Sequence, residues 1–397
     1  MRVSYGSQPV CDGPLQTLVD EMQAHLYMPD PVSLYCVVGT LVANHMTGDP
    51  VWMMLVGPPS CGKTELLRSM QDVPDTVTTS TLSVKSLLSA SPKSKTHKST
   101  GGVLRSIGER GILVLKDFSS ILNLRQENRT EVVAALREIY DGYWDRPVGA
   151  DGARKLTWTG KMGLLAACTP GIDAHHKVLG ECGERFTYFR YRSGTGYEET
   201  SAALRNRDPA SMRECLRADF AAFADGLEDI ADMADSQKLS LVEHDRLINL
   251  GMLTALCRGT VTRARFSREV EDNSYSEVPA RLTRVLSLLY RALIACQLKR
   301  RECWRTVVRV GLDSMPETRR KAVLALGGKS TPVPLKDLTT WAMVHAQTMR
   351  RTLEDLVLLR VVTQSGADSK GRPTVSVLTP AAAACWKKIM FSGVSYQ

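Results

Sequence analysis

Long apolar runs are missing from this 397-residue chain. No stretch of about eighteen residues stays apolar and uncharged, so no membrane span is expected. The opening residues, MRVSYGSQPVCDGPL, lack an apolar signal core, which argues against secretion and for a cytoplasmic protein. The ten cysteines are scattered, without a CxxC pair or a Cys/His cluster at zinc spacing. That excludes a zinc module and a disulfide framework and fits reduced thiols. No internal repeat is present, and no Ser or Cys sits in a nucleophile-elbow context.

Hydrophobic residues make up 43% and charged residues 23% of the chain, enough for an ordinary globular core spread over roughly two or three domains. The net charge of +9 and a pI near 9.0 favour a polyanionic partner without demanding one.

Residues 15–46 carry apolar positions at helical spacing on either side of Pro29-Asp30-Pro31, which predicts two helices. Val51 to Val56, Ile112 to Leu115 and Leu164 to Cys168 have the length and apolar character of buried strands, and a further strand is expected near Val77 to Leu82. A helix is expected over Asn128 to Asp141, and Pro147 to Thr159, with glycines at its turn, reads as a β-hairpin. Strands alternating with helices predict an α/β fold with a parallel sheet. The pattern is helical from 201 to 300, and from 304 it becomes helices followed by two strands.

Directly after the first strand comes Gly57-Pro58-Pro59-Ser60-Cys61-Gly62-Lys63-Thr64, which fits GxxxxGK[ST] between a strand and a helix. Gly57 and Gly62 allow positive φ and close backbone approach, so the amides of residues 60–64 are expected to converge on phosphate. Lys63 is then expected on the β- and γ-phosphates of ATP, and Thr64 on Mg²⁺. Asp117, after the strand GILVL, is a candidate to hold Mg²⁺ or its water; a helix-capping aspartate is the alternative.

With these motifs in order, the chain resembles AAA+ ATPases over about residues 15–300, above all minichromosome maintenance helicases and their phage and mobile-element relatives. GILVLKDF resembles the second acidic motif and RTEVVAALREIYDG the helix after it. LLAACTP resembles the sensor-one strand, which implies Thr169 as the polar sensor; GERFTYFRYR resembles the arginine-finger segment, which implies Arg185; VPARLTRVLSL resembles the sensor-two helix, which implies Arg281. The family has Asp-Glu where this chain has Lys116-Asp117, which leaves Asp117 either to take over the metal or to orient the attacking water, or leaves hydrolysis slow. The resemblance implies catalytic roles for Lys63, Asp117, Thr169, Arg185 and Arg281. It also implies a homo-oligomer, a ring or arc of six in which one subunit's arginine serves its neighbour's nucleotide.

Three features point to DNA. Arg146, Arg154, Lys155 and Lys161 lie on or beside the hairpin before sensor one, which in related ATPases enters the pore. Lys93, Lys95, His97 and Lys98 occupy a polar loop in the position of a pore loop. Residues 301–397 read as a winged helix-turn-helix, with Gln347, Thr348, Arg350 and Arg351 near the start of its third helix and Lys370 and Arg372 on its wing. Solvated basic loops and a protein-docking winged helix are the alternatives. Asp173, His175 and His176 read as a polar cluster rather than a metal site.

The expected organisation is an N-terminal helical segment (1–48), a nucleotide-binding core (49–200), a helical lid (201–300) and a winged helix-turn-helix (301–397). The leading expectation is an ATP-dependent, DNA-associated motor: a helicase, origin-melting initiator or helicase loader, with a possible replication partner protein. A nucleotide-gated DNA-binding switch with little hydrolysis is the second reading, favoured by Lys116. A protein remodeller is the third.

Overall fold

A computed structural model describes residues 13–89, 101–148, 154–176, 180, 185–192, 196–263, 278–367, 371–372 and 374–390. The chain forms two compact units. One contains residues up to 175 with Arg185–Gln237 and Leu288–Thr306; the other contains His176–Glu184, Lys238–Ser287 and Val307 onward.

The first unit is built on a five-stranded parallel sheet of β1 (Trp52–Val56), β2 (Thr76–Thr79), β3 (Arg110–Leu115), β6 (Lys161–Cys168) and β7 (Phe186–Arg190). Its spatial order is β2-β3-β6-β1-β7. β1 lies inside the sheet between β6 and β7, and every residue of WMMLV is buried, as a strand covered on both faces requires. Its register sets Trp52 beside Leu164 and Phe186, and Val56 beside Cys168 and Arg190. The Thr residues of β2 are half-buried, which suits an edge strand.

Two of the predicted helices precede β1: α1 (Pro14–His25) and α2 (Val32–His45). All of α2 is buried, as its apolar composition on every side demands, and it packs on β1, β3 and β6. Asn44 secures its end: its side chain accepts from the Val51 amide at 2.9 Å and donates to the Val51 carbonyl at 3.0 Å. The short helices α3 (Lys63–Arg68), α4 (Val84–Leu87), α5 (Val103–Ile107) and α6 (Ser119–Leu122) follow, then α7 (Gln126–Tyr140). Between α7 and β6 the expected hairpin forms from β4 (Tyr143–Val148) and β5 (Arg154–Thr159). Three more helices, α8 (Tyr197–Arg205), α9 (Pro209–Ala224) and α10 (Leu227–Ser236), complete this unit, α9 packing on α1 and α10 on α2.

The second unit contains α11 (Leu241–Arg258), whose Ser240 and Glu243 form a reciprocal capping box. Helices α12 (Ala280–Ala295) and α13 (Arg300–Asp313) are divided between the units. Then α14 (Glu317–Leu326), α15 (Leu335–Ala342) and α16 (Ala346–Leu358) pack together with a three-stranded antiparallel sheet, β8 (Val333–Pro334), β10 (Val375–Leu378) and β9 (Val362–Ser365). Met349, Leu353 and Leu356 of α16 are buried, whereas Val357 is exposed. Asp355 anchors the group: Arg263 and Arg319 both bond to it, and Arg319 also donates to the carbonyls of Cys257 and Gly259. The last helix, α17 (Pro380–Met390), packs on α11.

Candidate functional site

Parallel strands deliver their following loops to one edge of a sheet, and open α/β sheets bind ligands at that carboxyl edge. Here the edge carries the loop from Gly57 to Gly62 after β1, Lys116 and Asp117 after β3, Thr169 after β6 and Tyr191 after β7. The loop is held down where the Gly57 amide donates to the Cys168 carbonyl at 3.1 Å. Ser60 (φ 65°) and Gly62 (φ 85°) both adopt left-handed backbone. Among the described residues, the amides of Ser60 to Thr64 have no hydrogen-bond partner. Successive unpaired donors in a left-handed turn form an anion-binding concavity.

Gly57 does not need the positive φ expected of it; space is what it provides. A Cβ at this position would lie 2.8 Å from the Cys61 Sγ and 2.8 Å from the Tyr191 Cβ. At Gly62 the positive φ is the requirement, and no atom lies within 4 Å of a built Cβ.

Lys63 is buried and folded back on its own loop, its Nζ donating to the carbonyls of Gly57 (2.8 Å) and Pro58 (2.6 Å) and lying 3.5 Å from the Cys61 Sγ. Thr64 is half-buried at the start of α3. Asp117 is exposed, and its Oδ1 accepts the Ser119 amide at 2.9 Å; it stands one residue before Phe118, the N-cap of α6. Burial raises the Cys168 thiol pKa; the Ser119 hydroxyl opposes that, the Asp117 carboxylate adds to it and Lys63 counters it. Lys63 and Asp117 are thus within electrostatic reach of one thiol. Among the described residues no group of three or more His, Cys, Asp or Glu side chains is arranged to hold a metal. A cation here would be held by Thr64 and a single carboxylate, the remaining ligands coming from phosphate and water.

Three contacts around the loop escaped the sequence reading. Arg190, buried at the end of β7, makes a bidentate pair with Asp173 at 2.8 Å for each bond. This gives Asp173 an arginine partner in place of the cluster with His175 and His176; His176 lies 3.1 Å from the Arg258 carbonyl. Tyr191 packs behind Gly57, and burial pushes its phenol pKa well up, opposed by a hydrogen bond with Ser33. Glu65 of α3 is gripped by Arg213 of α9 at 2.8 and 2.9 Å, and that hydrogen bonding lowers the Glu65 pKa. A charged residue inside the aromatic run FTYFRYR was the available signal for the first of these.

Other expected site residues fall elsewhere. Arg185 precedes β7, at the opposite edge of the sheet, about 20 Å of strand away from Gly57. It is buried, bonded to Asp141 at 2.8 Å and set over the Tyr140 ring, so it does not reach the loop of its own chain. Arg281 lies in the first turn of α12, in the second unit.

The hairpin is less freely basic than its sequence suggests. Lys155 pairs with Asp145 at 2.7 Å, and Arg146 donates to the Leu88 carbonyl at 2.6 Å. Lys161 leaves the hairpin altogether: it begins β6 and caps α2 through the carbonyls of Ala43 and Met46, and burial lowers its pKa to about 8. Arg154 is on β5 opposite Val148. Lys93, Lys95, His97, Lys98 and Lys370 lie outside the described residues. Gln347, Thr348, Arg351 and Arg372 are exposed and Arg350 is half-buried.

No family model matches the chain, and no curated protein does. Among solved structures, the A-form apo structure of the NrS-1 C-terminal region is similar at a TM-score of 0.32 and 9% identity, over 94% of this chain and 78% of that one. A second apo structure of that region gives 0.28 and 10%, over 94% and 77%. Likeness this weak carries no argument for fold or function. No helix among the described residues is long and apolar enough to cross a membrane.

Proposed function

We propose that this chain is an ATP-dependent, DNA-associated AAA+ motor whose residues 57–64 form a phosphate loop and whose residues 301–397 form a winged helix-turn-helix. One observation carries the nucleotide reading: the unpartnered amides of Ser60 to Thr64 surround a loop whose lysine is satisfied only by that loop's own carbonyls and thiol. On binding, Lys63 exchanges the carbonyls of Gly57 and Pro58 for the β- and γ-phosphates. The Thr64 hydroxyl would hold Mg²⁺, and the ion would supply positive charge to the phosphates. The Asp117 oxygen not bonded to Ser119 orients the attacking water, and Thr169 polarises it from the neighbouring strand end. Arg185, too far from its own loop, serves the nucleotide of an adjacent copy in a ring or arc and leaves Asp141 to do so; Arg281 is the second arginine in this scheme. DNA contacts come from Gln347, Thr348, Arg350 and Arg351, with the wing and hairpin cations.

The test is ATP turnover with and without DNA for wild type and Lys63→Ala. DNA-stimulated turnover abolished by the substitution is the expected result; absence of triphosphate binding in the presence of Mg²⁺ overturns the reading. Mixing Arg185→Ala into wild type is expected to reduce activity more than its share of subunits. A second reading, a nucleotide-gated DNA-binding switch, is favoured by Lys116 in the acidic motif and by the Ser119 amide that occupies one oxygen of Asp117. Background turnover with ATP-dependent DNA binding intact would select it.

A further inference from the structure

The six tryptophans are not placed alike. Trp52, Trp144, Trp158 and Trp304 are buried, and Trp386 is half-buried against Gly327, but Trp341 at the end of α15 is 52% exposed. Two residues on, Met343 is 84% exposed and left-handed (φ 50°, ψ 48°). That conformation is the province of glycine and asparagine at a helix end, and an apolar side chain there is both strained and solvated. Neither residue serves the core of its unit. The surroundings are cationic and polar: the Lys329 Nζ sits over the Trp341 ring, 5.0 Å from its centroid, and Gln347, Thr348 and Arg351 are exposed on one face of the helix that starts after the turn. The acids of α16 are already matched, Glu354 by Arg263 and Asp355 by Arg263 and Arg319. Asp337, one turn before Trp341, is half-buried.

A flat apolar ring beside cations suits a ligand that alternates flat apolar faces with negative charge, which is nucleic acid. In a duplex the base faces are already stacked on one another, so an indole finds a free face only on an unpaired strand. We infer that Trp341 and Met343, at the turn between α15 and α16, form a stacking platform for unpaired bases of single-stranded nucleic acid. A base takes the place of the Lys329 ammonium on the indole, and the ammonium moves to a phosphate. This extends the DNA part of the proposed function but uses no residue of the phosphate loop, so either can fail alone.

The experiment is titration of the full chain with an unstructured oligothymidylate, without nucleotide, following tryptophan fluorescence and the anisotropy of a labelled oligomer. The exposed indole is expected to be quenched. Trp341→Ala should weaken binding about tenfold, with Trp341→Phe retaining most of it. Met343→Gly, which suits the left-handed backbone, should weaken binding while leaving the fold intact. Unchanged affinity in Trp341→Ala overturns the inference. So does equal quenching by heparin, a polyanion without bases, or a duplex that binds as tightly and is weakened equally by Trp341→Ala. If the oligomer quenches Trp341 in a protein that binds no triphosphate, the nucleotide reading falls and the platform stands.

Discussion

Replacing Gly57 by alanine tests whether space, rather than backbone freedom, is what the loop needs at its first glycine. The added carbon would meet the Cys61 Sγ and the Tyr191 Cβ at 2.8 Å each, where ordinary contact begins near 3.4 Å. Both neighbours must give by about half an ångström, which a well-packed site resists at a cost of about 1–3 kcal/mol. Tyr191 is held at the end of a strand, its amide bonded to the Val56 carbonyl at 2.7 Å. The loop is therefore the part that moves, and its amides lose their common focus. Urea unfolding of Gly57→Ala should show a loss within that range, and a fluorescent ATP analogue should bind at least roughly tenfold more weakly, about 1.4 kcal/mol. Cys61→Ala alone should be nearly neutral. Combined with Gly57→Ala it should recover part of both losses, because one of the two obstacles is gone. Wild-type stability and affinity in Gly57→Ala, or a double variant no better than the single one on either measurement, would refute the reasoning.

Asp173→Ala leaves the buried Arg190 guanidinium without its bidentate partner and should destabilise the protein by about 3–5 kcal/mol in chemical unfolding, with Arg190→Leu added to it restoring much of the loss. Lys161 binds its proton less tightly folded than unfolded, since its pKa falls from 10.5 to about 8. The unfolded chain thus holds more protons between these values, and wild-type stability relative to Lys161→Met should rise as pH goes from about 8 to 10.5; a flat difference would contradict the burial of this ammonium. Met343→Gly should raise the melting midpoint, relieving about 1 kcal/mol of left-handed strain.

The sequence by itself determined the elements and the loop. Apolar runs of strand length separated by helical periodicity gave β1, β3 and β6, and the glycines and lysine at 57–64 marked the turn between β1 and α3, because these are consequences of local chain chemistry. Three of the four helices and two of the three strands described from Glu317 onward were legible for the same reason. Only the tertiary structure decided which charges are available. Lys155 and Arg146 on the hairpin and Lys161 just beyond it read alike as available cations, yet each meets a partner that only the fold supplies, from Asp145 across the hairpin to the end of α2. Arg185 and Arg190 sit five residues apart, one just before β7 and one at its end, and only the register of β7 against β1 sets one far from the loop and the other beside it. Trp341 carries no mark in sequence that separates it from the five more deeply packed tryptophans, since exposure follows from what packs against a residue and not from the residue itself.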